Sequence, residues 1–522
     1  MADDLLLGVD LGTTGTKTVL YTPAGAVLAE ATADTLLHWS GPGHVDQDPD
    51  DFYRAATATM AACVARAGVA PARVAALAIT GQMAGVLGVD AEWRPSMPYD
   101  SWLDTRCAPD VDYLARELGD ELVERTGCPP MVDHAPKIRW WRRMHSDAFD
   151  RTAAFVMPGG YVAGKLAGLT AADAFIDHTY LHFTGLADAR AAAWSPELAA
   201  AVGVPPGKLP RIVAPATIVG RLTAAAAADC GLRPGVPVAA GLSDTAAGAL
   251  GAGIVRPRQL LDTAGTAAVF AASTDAFRPD QAHKTLIVMR GAVEAQWVSL
   301  AYLSGGSLLS WFREAVTGKG GAMGEEDFLR LTADLEGLPA GSDGLLFVPH
   351  LDGRILPSEP TMRGAWVGLH RGHRRGHLGR AILEGVAYEY AVYLGVLLGL
   401  HPDLRPEEAR AIGGGAHSDT WNRIKASVLG VPYLRLDRDE LACWGAALVA
   451  GHAVGLLPDL AAAATAATGV ARRYAPVEGD RAVYGELGEQ YRAVLRALAG
   501  PSKALSALQA RAQQHEQQGE RG

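Results

Sequence analysis

The chain has 522 residues, 49 % hydrophobic and 20 % charged, a composition that excludes a largely disordered protein. Its 47 Lys and Arg against 57 Asp and Glu leave a formal net charge of −10. That balance disfavours nonspecific binding to nucleic acid or an anionic membrane, both of which need clustered positive charge.

The acidic start, Met1 to Asp4, runs straight into an apolar strand pattern and lacks the basic region and long apolar core of a secretory signal. The longest apolar stretch, Tyr390 to Leu400, falls short of the ~18 residues of a membrane span and reads as a buried helix. Cys63, Cys107, Cys128, Cys230 and Cys443 lie far apart with no C-x-x-C pair. They read as reduced core thiols, neither a disulfide framework nor a zinc site, and a cytoplasmic protein is expected.

In chain order, Leu5 to Asp10 is a short apolar run typical of a buried strand. A Gly/Thr turn follows, then Thr18 to Tyr21, a Pro-Ala-Gly turn, and Ala26 to Leu28, which together predict an antiparallel meander. Asp50 to Gly68 has helical spacing, and Val74 to Thr80 is another apolar strand run. The opening pattern returns at Asp262-Thr263-Ala264-Gly265-Thr266, one residue different in spacing from Asp10-Leu11-Gly12-Thr13. A strand over Gln296 to Ser299, a helix over Gly306 to Val316 and a long helix over His377 to Leu400 follow it. Two similar halves of about 250 residues predict a duplicated α/β unit. The boundary falls in the Gly/Pro cluster at Gly251 to Arg258, giving lobes over 1–252 and 253–485 and a helix end with a frayed tail over 486–522.

The first turn, Asp10-Leu11-Gly12-Thr13-Thr14-Gly15-Thr16-Lys17, is suited to an anion. Gly12 and Gly15 allow close backbone approach and φ > 0, the threonines offer hydroxyls and Lys17 a charge. Asp10 can hold a metal ion through water. The turn is not a P-loop, because Thr16 precedes Lys17. It reads equally as an ordinary Gly-containing hairpin, but a second such hairpin at Gly265-Thr266 would allow the pair to clamp a polyphosphate. A third cluster, Gly413-Gly414-Gly415-Ala416-His417-Ser418, sits between a strand pattern and a helical one, where a ring or phosphate can meet backbone amides.

Val236 to Leu242 reads as a buried strand ending at Ser243-Asp244, with a small-residue helix starting there. A carboxylate in that place can take a proton from a hydroxyl nucleophile, and either residue can simply cap the helix. Gln82 and Met83 end another strand, and Trp102, Asp104 and Arg106 crowd one short segment. These groups could recognise a polyol through paired donors and acceptors, or form a surface ion pair beside a core tryptophan.

Together these residues resemble the FGGY family of carbohydrate kinases, over roughly residues 5–485. Asp10 to Lys17 looks like the family's first phosphate loop, and Asp133 to Trp140 like its first signature. Gly364 to Leu369, followed after seven residues by His377 to Glu384, fits the second. Gly413 to Ala416 and Gly445-Ala446-Ala447 match its adenosine-side motifs, and Asp244 falls on its general base. The motifs Gln47-Asp48-Pro49 and Gly413 to Ser418 are most similar to xylulokinases, in which a His usually stands where Ala84 stands here.

The resemblance implies an α/β protein of two RNase H-like lobes, of the actin/Hsp70/sugar kinase superfamily, with ATP and Mg²⁺ in the cleft between them. It implies sugar contacts at Gln82, Met83, Asp104, Arg106 and Asp244. It implies nucleotide contacts at Asp10, Gly12, Thr13, Thr14, Lys17, Gly265, Thr266, Gly413, Gly414, Gly415, Ala416 and Ser418, with Asp10 also near the metal. The expected partner is a small sugar or polyol, xylulose being one example and ribulose, erythritol or glycerol others, with no nucleic acid and no membrane; a homodimer stays open. The rival is an actin- or Hsp70-like ATPase serving a protein, which would have no use for the Asp104/Arg106 cluster or the Asp244 base.

Overall fold

The computed structural model describes residues 4–265, 267–318 and 323–519. The N-terminal meander forms as the alternation predicts: β1 (Leu5–Leu11), β2 (Gly15–Tyr21) and β3 (Val27–Asp34) pair antiparallel in sequence. Helix α1 (Pro49–Ala67) follows, with Asp48 capping its start, Pro49 in its first turn, and left-handed Gly68 (φ 62°) closing it. β4 (Val74–Gly81) then returns parallel to β1. Far along the chain, β5 (Ile218–Arg221), β6 (Pro237–Ala239) and the short β7 (Leu242–Ser243) complete the sheet, in the order β3-β2-β1-β4-β6-β5 with β7 beside β4. Helix α2 (Asp244–Gly251) leaves from β7.

The second half repeats this plan. β8 (Gln259–Ala264), β9 (Ala267–Thr274), β10 (Ile287–Arg290) and β11 (Trp297–Ser304) precede the core helix α3 (Arg375–Leu400). Then come β12 (Glu408–Ile412), α4 (Asp419–Leu429), β13 (Tyr433–Leu436), α5 (Leu441–Ala453), β14 (Val470–Tyr474) and α6 (Glu478–Gly519). The sheet order is β11-β9-β8-β12-β13-β14, with β10 added outside β11. Each strand has the partner and direction of its N-terminal counterpart: β8 is antiparallel to β9 and parallel to β12, as β1 is to β2 and β4.

The lobes meet where α5, of the second half, packs across α2 and β1 of the first. The approach is so close that a Cβ on Gly445 would lie 2.1 Å from the Ala247 carbonyl oxygen, and one on Gly251 2.0 Å from that of Leu441. Gly445-Ala446-Ala447 therefore forms the interlobe helix contact and not, as the sequence suggested, part of the adenosine side. Alternation on β1 sends Leu6 into this shared core and Leu5, Leu7, Val9 and Leu11 toward α1.

Two further expectations change. The segment after Pro501 is not a frayed tail: α6 continues through Pro501, Ser502 is buried, its hydroxyl accepts from Arg363 N at 3.3 Å, and Arg363 Nε donates to Gln509 at 3.2 Å. Helix α3 is long and apolar enough by composition to cross a membrane, yet 72 % of its most apolar window is buried inside the protein, where Tyr388, Tyr390 and Tyr393 fill the C-terminal core.

Candidate active site

Asp10 is the penultimate residue of β1, flanked across the sheet by Lys17 of β2 and Thr80 of β4. It faces the interlobe crevice and is half-buried. Its carboxyl is pushed up to about 7, first by burial, then by the negative charges of Asp244 and Glu440, with Lys17 opposing. Lys17 is itself held across the lobes by Glu440 at 2.6 Å and within its own lobe by Glu30 at 3.0 Å. The turn that follows is tight: Gly12 N donates to Gly15 O at 2.9 Å, and a Cβ on Gly12 would lie 2.9 Å from that oxygen. Neither glycine has the positive φ anticipated for it; Gly12 is needed for space. Three residues anchor Thr13: Gln47 Nε2 donates to its carbonyl at 3.1 Å, the Thr35 hydroxyl to the same oxygen at 3.4 Å, and Trp102 Nε1 to its hydroxyl at 2.9 Å. Thr14 is exposed at the tip.

Asp244 opens α2 at the end of β7, whose Ser243 pairs with Gly81 of β4. Its Oδ1 accepts from Thr245 N at 2.5 Å and Thr245 Oγ1 at 3.2 Å. Burial raises its carboxyl to about 6, and the two Thr245 bonds limit the rise. The Ser243 side chain makes no cap. Instead Ser243 N donates to the Thr179 hydroxyl at 2.9 Å, which in turn donates to buried Asp177 at 2.5 Å. Tyr180 adds a clamp, its hydroxyl reaching Gly81 O at 3.1 Å and Leu242 O at 3.3 Å. Residues 177–180 were not singled out from sequence. They lie far from both strands along the chain, and only folding joins them to the floor of the cleft.

Gln82 follows Gly81 directly, its N–H donating to Leu11 O at 3.1 Å beside Asp10. Its side chain is 3 % exposed and donates through Nε2 to Gln47 Oε1 at 3.0 Å. Met83 is half-buried, and Ala84 is held left-handed at φ 60°, a conformation a non-glycine residue adopts at some cost. Trp102 is 41 % exposed beside the hairpin.

Asp104 and Arg106 are not displayed to the cleft as free recognition groups. Asp104 is fully buried, accepting from Val45 N at 2.6 Å and Arg106 N at 2.9 Å, with Arg106 Nε 2.7 Å away. The Arg106 guanidinium lies 4.8 Å from the centre of the Trp140 ring. The cluster is a buried brace beneath the loop, because a carboxylate with three donors already around it has little capacity left. Lys137, from the first signature, pins the same loop through Asp100 at 2.7 Å and the carbonyls of Ser101 and Asp104 at 2.8 Å.

In the second lobe the matching strand positions are Thr263, half-buried and penultimate in β8, and Ile412 beside it on β12. Thr263, not Asp262, therefore stands where Asp10 stands. Asp262, one residue earlier, points to the opposite face. There it is fully buried, accepts from Tyr390 at 2.8 Å and is ion-paired with Lys425. Gly265 closes the turn, and Thr266 lies outside the described residues. The glycine cluster sits against this turn. Gly413 has φ 78°, and a Cβ on it would lie 3.1 Å from Ala264 O and 3.6 Å from Gly265 N. A Cβ on Gly415 would meet Ala264 at 2.5 Å, whereas one on Gly414 meets nothing within 4 Å. Ala416 is buried, its carbonyl taken by Asn422 at 2.7 Å. Ser418 caps α4, its oxygen accepting from Trp421 N at 3.2 Å, which leaves its O–H as a donor.

This arrangement fits a nucleoside triphosphate: an exposed glycine at 414, a tight turn after β1, and carboxylates at the floor of the crevice. Among the described residues no group of three or more acidic, His or Cys side chains could hold a metal by itself. Asp10 alone fits Mg²⁺ of the kind bound mostly by phosphates and water.

Residues 5–251 match the N-terminal domain of the FGGY family of carbohydrate kinases and residues 263–454 the C-terminal domain. The chain belongs to this family. It is an ATP-dependent sugar kinase acting on a small-molecule substrate. Xylulose kinase of Bacillus subtilis is 27 % identical over 457 residues, 87 % of this chain and 89 % of that one. Gluconokinase of the same organism is 26 % identical over 492 residues, 92 % and 94 % of the two chains. The crystal structure of xylulose kinase from Rhodospirillum rubrum superposes with a TM-score of 0.87 at 28 % identity, covering 95 % of this chain and 99 % of that one. The FGGY fold is thus the two-lobed α/β architecture of the actin/Hsp70/sugar kinase superfamily.

Proposed function

We propose that this FGGY kinase phosphorylates a hydroxyl of a ketose such as xylulose, with Asp244 as the general base and Mg·ATP held between the lobes. The observation that carries the reading is the Asp244 carboxyl at the cleft floor, opposite Asp10 and raised to about 6. A base of that strength is ionised at neutral pH and still able to accept a proton from an attacking hydroxyl.

Thr13, Thr14 and the Gly265 turn hold the phosphates, and Gly413 and Gly414 meet the adenosine through backbone. Lys17 would reach a phosphate only by exchanging it for Glu440. Mg²⁺ beside Asp10 would neutralise charge on the transferring phosphoryl group. Gln82 and Met83 line the sugar side, and the Asp104–Arg106 brace shapes it from below. Lobe closure excludes water, the competing nucleophile.

A neighbouring ketose or polyol is the second reading, supported by Ala84 in place of the usual xylulokinase imidazole. ADP release across D-xylulose, D-ribulose, pentitols, erythritol, glycerol and D-gluconate decides between them. Asp244→Asn should keep ADP binding and lose about 10²–10⁴-fold in turnover; near-normal turnover would remove Asp244 from this role. If Ala84→His shifts preference toward D-xylulose, the imidazole is the missing selector. Histidine tolerates the left-handed backbone there better than most side chains.

A further inference from the structure

Gln47 and Gln82 form a buried amide pair, 1 % and 3 % exposed, between the sugar side and the phosphate hairpin. The bonding leaves each amide one orientation. Gln47 touches the carbonyl oxygens of Thr13 at 3.1 Å and Leu36 at 3.2 Å. Carbonyl oxygens only accept, so the –NH₂ end of Gln47 must face them. Its oxygen therefore faces Gln82, which must supply its own –NH₂, at 3.0 Å. Gln82 Oε1 is left over, buried and without a hydrogen-bond partner among the described residues. A buried acceptor without a donor is costly to leave unmade. This one belongs to the residue after Gly81, whose strand end is paired with Ser243 next to Asp244.

The crevice charge is mostly negative: Asp10, Asp244 and Glu440 share it, with Lys17 the cation among them. Lys17 is held by Glu30 and Glu440, and Arg106 lies 2.7 Å from Asp104 beneath the loop.

We propose that Gln47 is a positioning residue that fixes the polarity of the Gln82 amide. The site then presents an acceptor and takes an uncharged polyhydroxylated substrate, whose hydroxyl donates to Gln82, in preference to an aldonate. This rests on the kinase reading above and narrows its substrate class. The hydroxyls of an aldonate can donate to Gln82 as those of a ketose do, but its carboxylate offers acceptors only and would enter a crevice dominated by acidic side chains. The same glutamine holds the Thr13 carbonyl, so sugar-side and phosphate-side geometry share one anchor.

The test has a wild-type arm and a variant arm. ADP release by the wild-type enzyme is measured with D-xylulose, D-ribulose, xylitol, glycerol and D-gluconate. The expected result is a kcat/KM for D-gluconate at least about 100-fold below that of the best neutral acceptor; parity would overturn the proposal without any variant having to fold. In the variant arm, Gln82→Met should raise the KM of the best neutral acceptor about tenfold and leave the Kd for ADP unchanged. Gln47→Met should raise both constants, because it also loosens the Thr13 carbonyl, leaving that oxygen the Thr35 hydroxyl at 3.4 Å. A merely structural role would lower the active fraction and leave both constants where they were, and that result overturns the positioning role. If no acceptor supports ADP release, the kinase reading fails and this proposal falls with it. Transfer to gluconate as efficient as to a ketose refutes this proposal alone.

Discussion

The two lobes carry the same strand path to the cleft and arrive with different chemistry. On β1 the penultimate residue is Asp10 and the adjoining strand ends in Gly81-Gln82; on β8 it is Thr263 and the adjoining strand ends in Gly413-Gly414. One lobe thus brings carboxylates and an amide, the other hydroxyl and bare backbone. Proton abstraction and sugar recognition need the first set, and close approach to a nucleotide needs the second. The aspartates that look alike in sequence divide the same way. Asp10 is half-open with its carboxyl near 7, whereas Asp262 is buried and neutralised by Lys425. The two copies share the scaffold and differ at the position nearest the cleft, Asp10 in one and Thr263 in the other.

Several substitutions would break or sharpen this contrast. The largest effect on stability is expected at Asp262→Asn, which leaves Lys425 buried without its counter-ion and should cost about 3–5 kcal/mol in denaturant unfolding. A cost below 1 kcal/mol would mean that the pair does not anchor the second lobe. Asp10→Asn should act in the opposite direction on stability. Because the native carboxyl is raised above its ordinary value of 3.8, to about 7, its ionisation opposes folding as pH rises through 7. The variant should melt higher than wild type at pH 8, with the gap closing as pH falls toward 4, while turnover drops. A variant that melts lower at pH 8 would contradict the crowding of carboxylates at the cleft floor. Thr263→Asp would give the second lobe the charge of the first. With phosphates expected beside it, ADP should bind about tenfold more weakly, measured by calorimetry. The smallest effect is expected at Gly414→Ala, where a methyl group meets only open space in the protein. Melting should not change while nucleotide affinity falls severalfold; equal affinity would place the adenosine elsewhere.

The meander, the repeated sheet plan, the long core helix and the strand end at Asp244 were all legible in the sequence. Strand alternation, glycine turns and helix periodicity are local, and they survive into the fold. The Asp262 match misled because a one-residue offset in a strand is invisible in a motif but reverses the face on which a side chain emerges. Asp104 and Arg106 looked like a recognition cluster, since charge density is visible in sequence and burial is not. The segment beyond Pro501 looked like a loose end because its anchoring partners, Thr361 and Arg363, lie about 140 residues earlier in the chain.

The sequence by itself determined a duplicated α/β kinase with glycine-rich turns and a carboxylate at a strand end. Those features are written in residue type and short spacing. Tertiary structure alone decided which carboxylates are buried together, how Lys17 is paired, and which amide atom of Gln82 is left without a donor. Lys17 meets Glu440 only where the lobes pack across α2 and α5, and Gln82 meets Gln47, 35 residues earlier, only within the folded first lobe.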